Sequence, residues 1–329
     1  MTIIELAMLT KHRKLKIKLL IVYLFSILPF LIFIFYLFDL WYDTRRTQVL
    51  EQNINYANLA GEFLNNTIKD GQITTQIIAD DPYFINLLTK SDSDKEALIL
   101  YLRNIINKLP YINSINIFNP DGFPLASSSE SVNEQDLINT KDREYFQEVL
   151  KTKKTVISPM TIGRYSAKRL VIIASPMVRN DKITVIITTT INIDFMKTSI
   201  ENILKKENIN HNTLILLDNQ GQLVFIANQP YPKESELGLI SANPCYQDAH
   251  NGNNYIIENK LLPIINKKVM GTCIPINHNG WVVANIVPVE ELYAPIFKIQ
   301  KFIWVIIGSA SLFASGLFSF FLRKIRIVY

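Results

Sequence analysis

Groups that carry chemistry on their own are scarce in this chain. Its 329 residues hold two cysteines, Cys245 and Cys273, and four histidines, His12, His211, His250 and His278. Two cysteines cannot build a disulfide framework. They leave one question, whether they pair in an oxidising compartment or stay buried as thiols. The histidines are scattered, and a lone histidine is more often a satisfied or surface residue than a ligand. No glycine-rich phosphate loop, nucleophile elbow or HExxH helix occurs. The adjoining acids Asp80 and Asp81 cannot converge on one substrate. No low-complexity run interrupts the chain. The absences predict neither a catalytic domain nor a bound metal or cofactor.

What is abundant is apolar surface. Hydrophobic residues make up 48% of the chain, with a mean hydropathy of +0.14. Two stretches account for the excess. Leu19 to Phe38 and Phe302 to Leu322 carry no charge, and about 20 apolar residues suffice for a helix to cross a bilayer. The second is studded with Gly308, Ser309, Ala310, Ser311, Ala314, Ser315 and Gly316, small residues that let helices approach closely. The first is too long for a signal-peptide core, and no small-residue cleavage site follows it.

Lys11, Arg13, Lys14, Lys16 and Lys18 precede the first span. Arg323, Lys324 and Arg326 follow the second. Positive flanks stay in the cytoplasm, so both ends are predicted inside and the middle outside. Against eight basic residues the ends hold one acid, Glu5. The remainder has 26 basic and 28 acidic residues. The net charge of +5 is therefore a topology signal, and no nucleic-acid partner is expected.

The outer region opens with a helical pattern, Leu50, Ile54, Ala57, Gly61, Leu64 and Ile68, spaced at three and four residues. Asp80-Asp81-Pro82 breaks it, and a second helix is expected from about Asp94 to Leu109, ended by Pro110. The period then becomes two. Ile112 to Phe118 and Phe123 to Ser127 read as a hairpin around Asn119-Pro120-Asp121-Gly122. A short helix follows at Lys141 to Leu150. Leu170 to Val178 and Ile183 to Ile193 are long strands, and Phe195 to Lys206 is a helix that Asp194 is expected to cap.

The order then repeats. Thr213 to Leu217 and Leu223 to Ala227 flank Asp218-Asn219-Gln220-Gly221. After an irregular stretch come strands at Val269 to Ile276 and Trp281 to Val287, then a helix from Pro288 to Ile299. The pattern predicts an α+β fold, with two tandem antiparallel-sheet modules flanked by two transmembrane helices.

At this point the residues resemble the double Cache family, tandem PAS-like sensor modules of bacterial chemoreceptors, sensor kinases and diguanylate cyclases. The resemblance spans roughly residues 42 to 300. It rests on Ile115 to Ser127 (INIFNPDGFPLAS), on Asp142-Arg143-Glu144-Tyr145-Phe146 as the DR-x-YF helix start, and on Ile157-Ser158-Pro159. VIIASPMV from Val171 and ITVIITTTINID from Ile183 match its central strands. LLDNQGQL from Leu216 and Gly280-Trp281-Val282-Val283 through Pro288-Val289-Glu290-Glu291-Leu292 match its second half.

The resemblance implies a division of the chain. Residues 1–18 form a basic tail, 19–40 a span, 42–79 a dimerising stalk helix, and 80–206 a membrane-distal ligand-binding module. Residues 207–300 form a membrane-proximal module, 302–322 a span, and 323–329 a tail. It further implies a small-molecule sensor in the inner (plasma) membrane, homodimeric through stalk and spans. The sensor would serve a chemotaxis, two-component or diguanylate-cyclase output that lies further along the gene or on a partner. The alternative reading is a membrane-anchored interaction or assembly protein without a small ligand.

Within the resemblance, Arg143 is the first candidate ligand residue, because a guanidinium grips a carboxylate through two parallel hydrogen bonds. Its bland alternative is a surface salt bridge with Asp142 or Glu144. Tyr145 and Phe146 follow it, and Ser158, Tyr165 and Lys168 stand where the family places its pocket rim. Amino-acid-binding members resemble one another in an Arg-x-Trp-Tyr segment and a later Asp that offsets the ligand's ammonium. Here the segment reads Arg143-Glu144-Tyr145-Phe146, and the acid's position falls on Thr190. That departure points to a carboxylate or neutral ligand in place of an amino acid.

Overall fold

The computed structural model describes residues 3–89, 95–129, 138–164, 168–209, 211–229, 243–262, 265–276 and 280–325. The chain divides into two compact units, Leu50–Val289 and the pair Met1–Val49 with Glu290–Tyr329.

Helix α1 runs over Ile3–Asp80. It stops where Pro82 disfavours helical backbone at Asp81. The Asp81 carboxylate then accepts the Tyr83 N–H at 2.9 Å and starts α2 (Pro82–Thr89), with the proline in the first turn. Helix α3 follows at Lys95–Ile106. Together these helices bury Ile78, Phe84, Leu98 and Leu102 against Ile115 and Ile117.

The first sheet contains β1 (Ile112–Phe118), β2 (Pro124–Ser127), β3 (Val156–Ile157), β5 (Arg169–Arg179) and β6 (Lys182–Ile191), in the order β2-β1-β6-β5-β3, with β4 (Thr161–Ile162) paired to β5. The second contains β7 (Thr213–Leu217), β8 (Leu223–Ala227), β9 (Tyr255–Leu262), β10 (Lys267–Ile276) and β11 (Trp281–Pro288), in the order β8-β7-β11-β10-β9. In both, the first hairpin lies beside the last strand, so the repeat expected from the sequence is a repeat of topology. All pairings are antiparallel. Helix α4 (Glu144–Thr152) belongs to the first module, and α5 (Ile193–Lys206) leads to the second.

Three local expectations are corrected. Helix α5 is capped by Asn192, whose side chain accepts the Phe195 N–H at 3.0 Å; Asp194 sits inside the first turn. Asparagine competes on equal terms with aspartate at this position, and the strand ends at Ile191, two residues earlier than its apolar run suggests. The stretch taken as irregular before Val269 contains helix α6 (Pro244–His250) and strand β9. β9 was hidden because Glu258-Asn259-Lys260 interrupts its apolar pattern. Asn259 takes a left-handed φ of 49°, beside a register shift between Val269 and Gly271. The short helix begins at Glu144, three residues later than expected.

Each strand of the first sheet serves two faces. Ile173 and Ile191 meet α1, where Gly71 lets them in: a Cβ there would stand 2.7 Å from Ile191 Cδ1 and 2.8 Å from Ile173 Cδ1. On the same face the hydroxyl of buried Thr75 donates to Thr189 at 2.8 Å. On the opposite face Ile172, Ala174 and Ile186 pack with Phe146 and Val149 of α4. A core of α1, α5 and strands of both sheets then joins the modules. Cys245 of α6 and Cys273 of β10 are joined as a disulfide, Cα to Cα 5.8 Å.

The other unit is described by itself. Helix α7 runs over Val289–Ile325. Among the described residues one helix segment is long and apolar enough to cross a membrane, Val289–Gly316, with mean hydropathy 1.5 and 6% of it buried. The first expected span lies inside α1. Many of its side chains fall outside the described residues, while Phe25, Phe30, Phe33 and Phe35 are exposed. Phe35 packs on Trp304 with ring centres 5.6 Å apart, and Tyr42 packs on Tyr293 at 5.1 Å.

Candidate functional site

α4 covers only part of the first sheet's outer face, where Phe146 is fully buried and stacks edge-on against Phe118. Beside that contact the strands present short polar side chains, Ser114 and Asn116 on β1, and Thr188 and Thr190 on β6. Such residues cannot fill the space that leucines or phenylalanines would. The result is a cavity of about 320 Å3, at the small end of ligand-site volumes. Its floor is those four residues. Leu170 and Ile172 of β5 form one side, Thr161 and Ile162 of β4 close another, and Tyr145 and Arg143 come from the start of α4.

Arg143 occupies the N-cap position of α4 but makes no side-chain cap there. Its guanidinium reaches across to β4, where Nη1 donates to Thr161 Oγ1 at 3.0 Å and Nη2 donates to the Ile162 carbonyl at 2.9 Å. The salt bridge with Asp142 or Glu144 is not formed. Asp142 pairs instead with Arg164, which also donates to the Asn139 carbonyl. Hydrogen bonding to Arg164 holds the Asp142 carboxyl below the usual carboxylate range. Arg143, Arg164 and Lys168 all line the cavity, and among its described lining residues there is no carboxylate.

The rim is stitched to the β1–β2 turn. Asn139 donates to the Asp121 carbonyl at 2.8 Å and Thr140 N–H donates to the Gly122 carbonyl at 3.0 Å. Gly122 has φ +83°, and a Cβ there would stand 2.5 Å from both Asn139 Oδ1 and Lys141 N. The turn needs glycine twice over, for its backbone and for this contact.

Of the residues singled out in the sequence, Arg143, Tyr145, Lys168 and Thr190 meet at the cavity. Tyr165 lies outside the described residues. Phe146 and Ser158 do not line it. Phe146 is a core residue because successive helical positions point in different directions, and the cavity side falls to Tyr145. Ser158 is buried with its hydroxyl accepting the Ile172 N–H at 2.9 Å, while its own N–H donates to the Ile172 carbonyl at 2.7 Å. It therefore splices β3 to β5. The reading missed Ser114, Asn116, Thr161, Arg164 and Thr188. A signal for the floor was present: polar residues recur on one face of INSINIF and of the Thr188-Thr189-Thr190 run, where a covered sheet should be apolar.

A second polar site lies where the modules meet. Asp218, in the β7–β8 turn, is fully buried. Its Oδ1 accepts the N–H groups of Gln220 and Gln222 at 2.9 and 2.8 Å, and its Oδ2 accepts the Met160 N–H at 2.7 Å. Burial pushes its carboxyl up, against the lowering pull of these three donors.

The extracellular domain of rpHK1S-Z16, a histidine kinase by its description, is 14% identical over 75% of this chain and 97% of its own, with a TM-score of 0.61. The Campylobacter jejuni chemoreceptor Tlp3 ligand-binding domain, solved in complex with L-norvaline, is 13% identical over 76% and 94%, TM-score 0.54. The V. cholerae histidine kinase DctB sensor domain is 13% identical over 74% and 98%, TM-score 0.56. At such identities the likeness is one of fold. No curated protein matches the chain. The model of the Cache domain, an extracytoplasmic, non-catalytic input domain of membrane receptors, matches residues 42–296, and the chain belongs to that family.

Proposed function

We propose that this protein is a membrane-anchored extracytoplasmic sensor that binds a small carboxylate-bearing ligand in the cavity of its distal module. The observation that carries the reading is Arg143, reaching into a cavity with a neutral hydroxyl and amide floor. Two of its five N–H donors are used by β4, which fixes the plane of the guanidinium and leaves further donors for a carboxylate. Thr190 supplies no charge for an ammonium, which disfavours α-amino acids. The exposed aromatic and aliphatic side chains of the first apolar stretch, and its contact with Trp304, support two spans and hence a sensor held at both ends in the inner membrane. In this reading α1 also serves as the dimer spine. Ligand binding biases two arrangements of the helices, and an output module or partner reads them in the cytoplasm.

The test is thermal unfolding of the full chain in lipid nanodiscs against mono- and dicarboxylates, amino acids and neutral sugars. A ligand at about 100 times its Kd adds roughly 2.7 kcal/mol of stability. A carboxylate is expected to raise the melting temperature, and Arg143→Ala is expected to abolish the rise while keeping the wild-type circular dichroism. A rise that persists in folded Arg143→Ala, or no rise with any compound, refutes the proposal.

A further inference from the structure

The two residues that hold Arg143 form the whole of β4, and β4 is tethered to the other module. Met160, immediately before it, donates its N–H to Asp218 Oδ2 at 2.7 Å. Ile162 pairs in register with Arg169, whose Nη1 donates to the Leu223 carbonyl of β8 at 3.2 Å. We propose that Asp218 of the proximal module is a positioning residue for the distal cavity, holding through Met160 the strand on which Arg143 rests. The inference builds on the reading of that cavity as the ligand site, and gives ligand binding a direct route into the β7–β8 hairpin.

The chemistry explains why a carboxylate stands here. The corresponding turn of the distal module begins with Asn119, whose Oδ1 accepts the Phe123 N–H at 2.9 Å. An amide oxygen is thus enough to close such a turn. Asp218 uses one oxygen for the same purpose, taking the Gln220 and Gln222 N–H groups, and has a second oxygen for Met160. Asparagine would turn an NH2 group toward the Met160 N–H, donor against donor. Asp218→Asn should therefore preserve the turn and cut the tether.

The experiment is hydrogen exchange with mass spectrometric readout on the full chain in nanodiscs, with no ligand added. Asp218→Asn is expected to speed exchange at Met160 to Ile162 on the order of tenfold, since a hydrogen bond to a charged group is lost, with Gln220 and Gln222 near wild type. Coupling is reciprocal. Arg143→Ala should therefore speed exchange at Gln220 and Gln222, across the module boundary, while α3 stays unchanged; a merely structural role for Asp218 does not predict this. Should Asp218→Asn fail to fold, Arg169→Gln removes the second tether and is read at the same amides. Wild-type exchange at Met160 to Ile162 in the tether variants, or at Gln220 and Gln222 in Arg143→Ala, overturns the proposal. Because no ligand is used, that failure is separate from failure of the ligand screen.

Discussion

Neighbouring side chains at the start of α4 have unlike roles. Phe146 is sealed between Phe118 and the sheet, so Phe146→Ala opens a void and should cost about 3–5 kcal/mol, read as a lower midpoint in denaturant. Arg143 sits at the rim, and its replacement should cost little stability while removing ligand response. Asp218 adds a dependence on pH. Burial raises its carboxyl above the ordinary 3.8, so the folded state keeps this proton to a higher pH than the unfolded state does. The stability this confers is complete below the ordinary value and is lost as pH rises through the raised one. Melting temperature followed from pH 3 to 8 should contain that falling component in the wild type and lack it in Asp218→Asn, which cannot titrate. Curves of the same shape for both proteins would assign the pH dependence to other groups.

Among the elements, α1 is held against the second sheet by a buried cluster of three amides. Asn212 donates to Asn53 Oδ1 at 2.7 Å and to Asn285 Oδ1 at 3.2 Å, and Asn285 donates to Asn53 Oδ1 at 3.1 Å and to the Asn53 carbonyl at 3.2 Å. Apolar packing alone tolerates sliding of a helix. A buried amide set makes such bonds in one register, and here the Asn53 amide nitrogen is the one member of the three that has no partner among the described residues. Asn53→Leu would remove the Oδ1 acceptor shared by Asn212 and Asn285, leaving each one bond, to Asn285 Oδ1 and to the backbone carbonyl of position 53, at about 1 kcal/mol for each hydrogen bond lost. Chemical denaturation should show the loss, and replacing all three amides together, Asn53→Leu, Asn212→Leu and Asn285→Leu, should recover part of it because no buried donor is then stranded. Additive costs in the triple variant would mean the amides do not act as a set.

For the whole molecule, topology and redox state test one another. Reporter fusions at residue 200 should be active outside the cytoplasm, and fusions at both termini inside it. Cys245 and Cys273 in chain prepared from the outer compartment should resist alkylation until reduced. A cytoplasmic residue 200 would undo the sensor reading entirely, and two freely alkylated thiols would remove the disulfide.

Local chemistry was legible wherever an element's neighbours are local. The break at Asp81-Pro82, the β1–β2 and β7–β8 turns, the strands Ile112–Phe118, Thr213–Leu217 and Leu223–Ala227, and the two uncharged stretches all follow from periodicity and turn residues. The α+β class and the family followed from their order. The sequence also picked out Arg143 and Tyr145 by the DR-x-YF resemblance, Lys168 by its place on the expected rim, and Thr190 as the position where amino-acid-binding members carry an Asp. It did not separate Tyr145 from Phe146, because which of two adjacent aromatics is sealed depends on where α4 stops covering the sheet. It did not reveal that Ser158 splices strands, that Asn192 takes the cap, or that Asp218 reaches Met160 across 58 positions of chain. The Asp218 contact depends on how the two modules meet, the role of Ser158 on the pairing of β3 with β5, and the Asn192 cap on where β6 ends, and each is settled only in the folded chain.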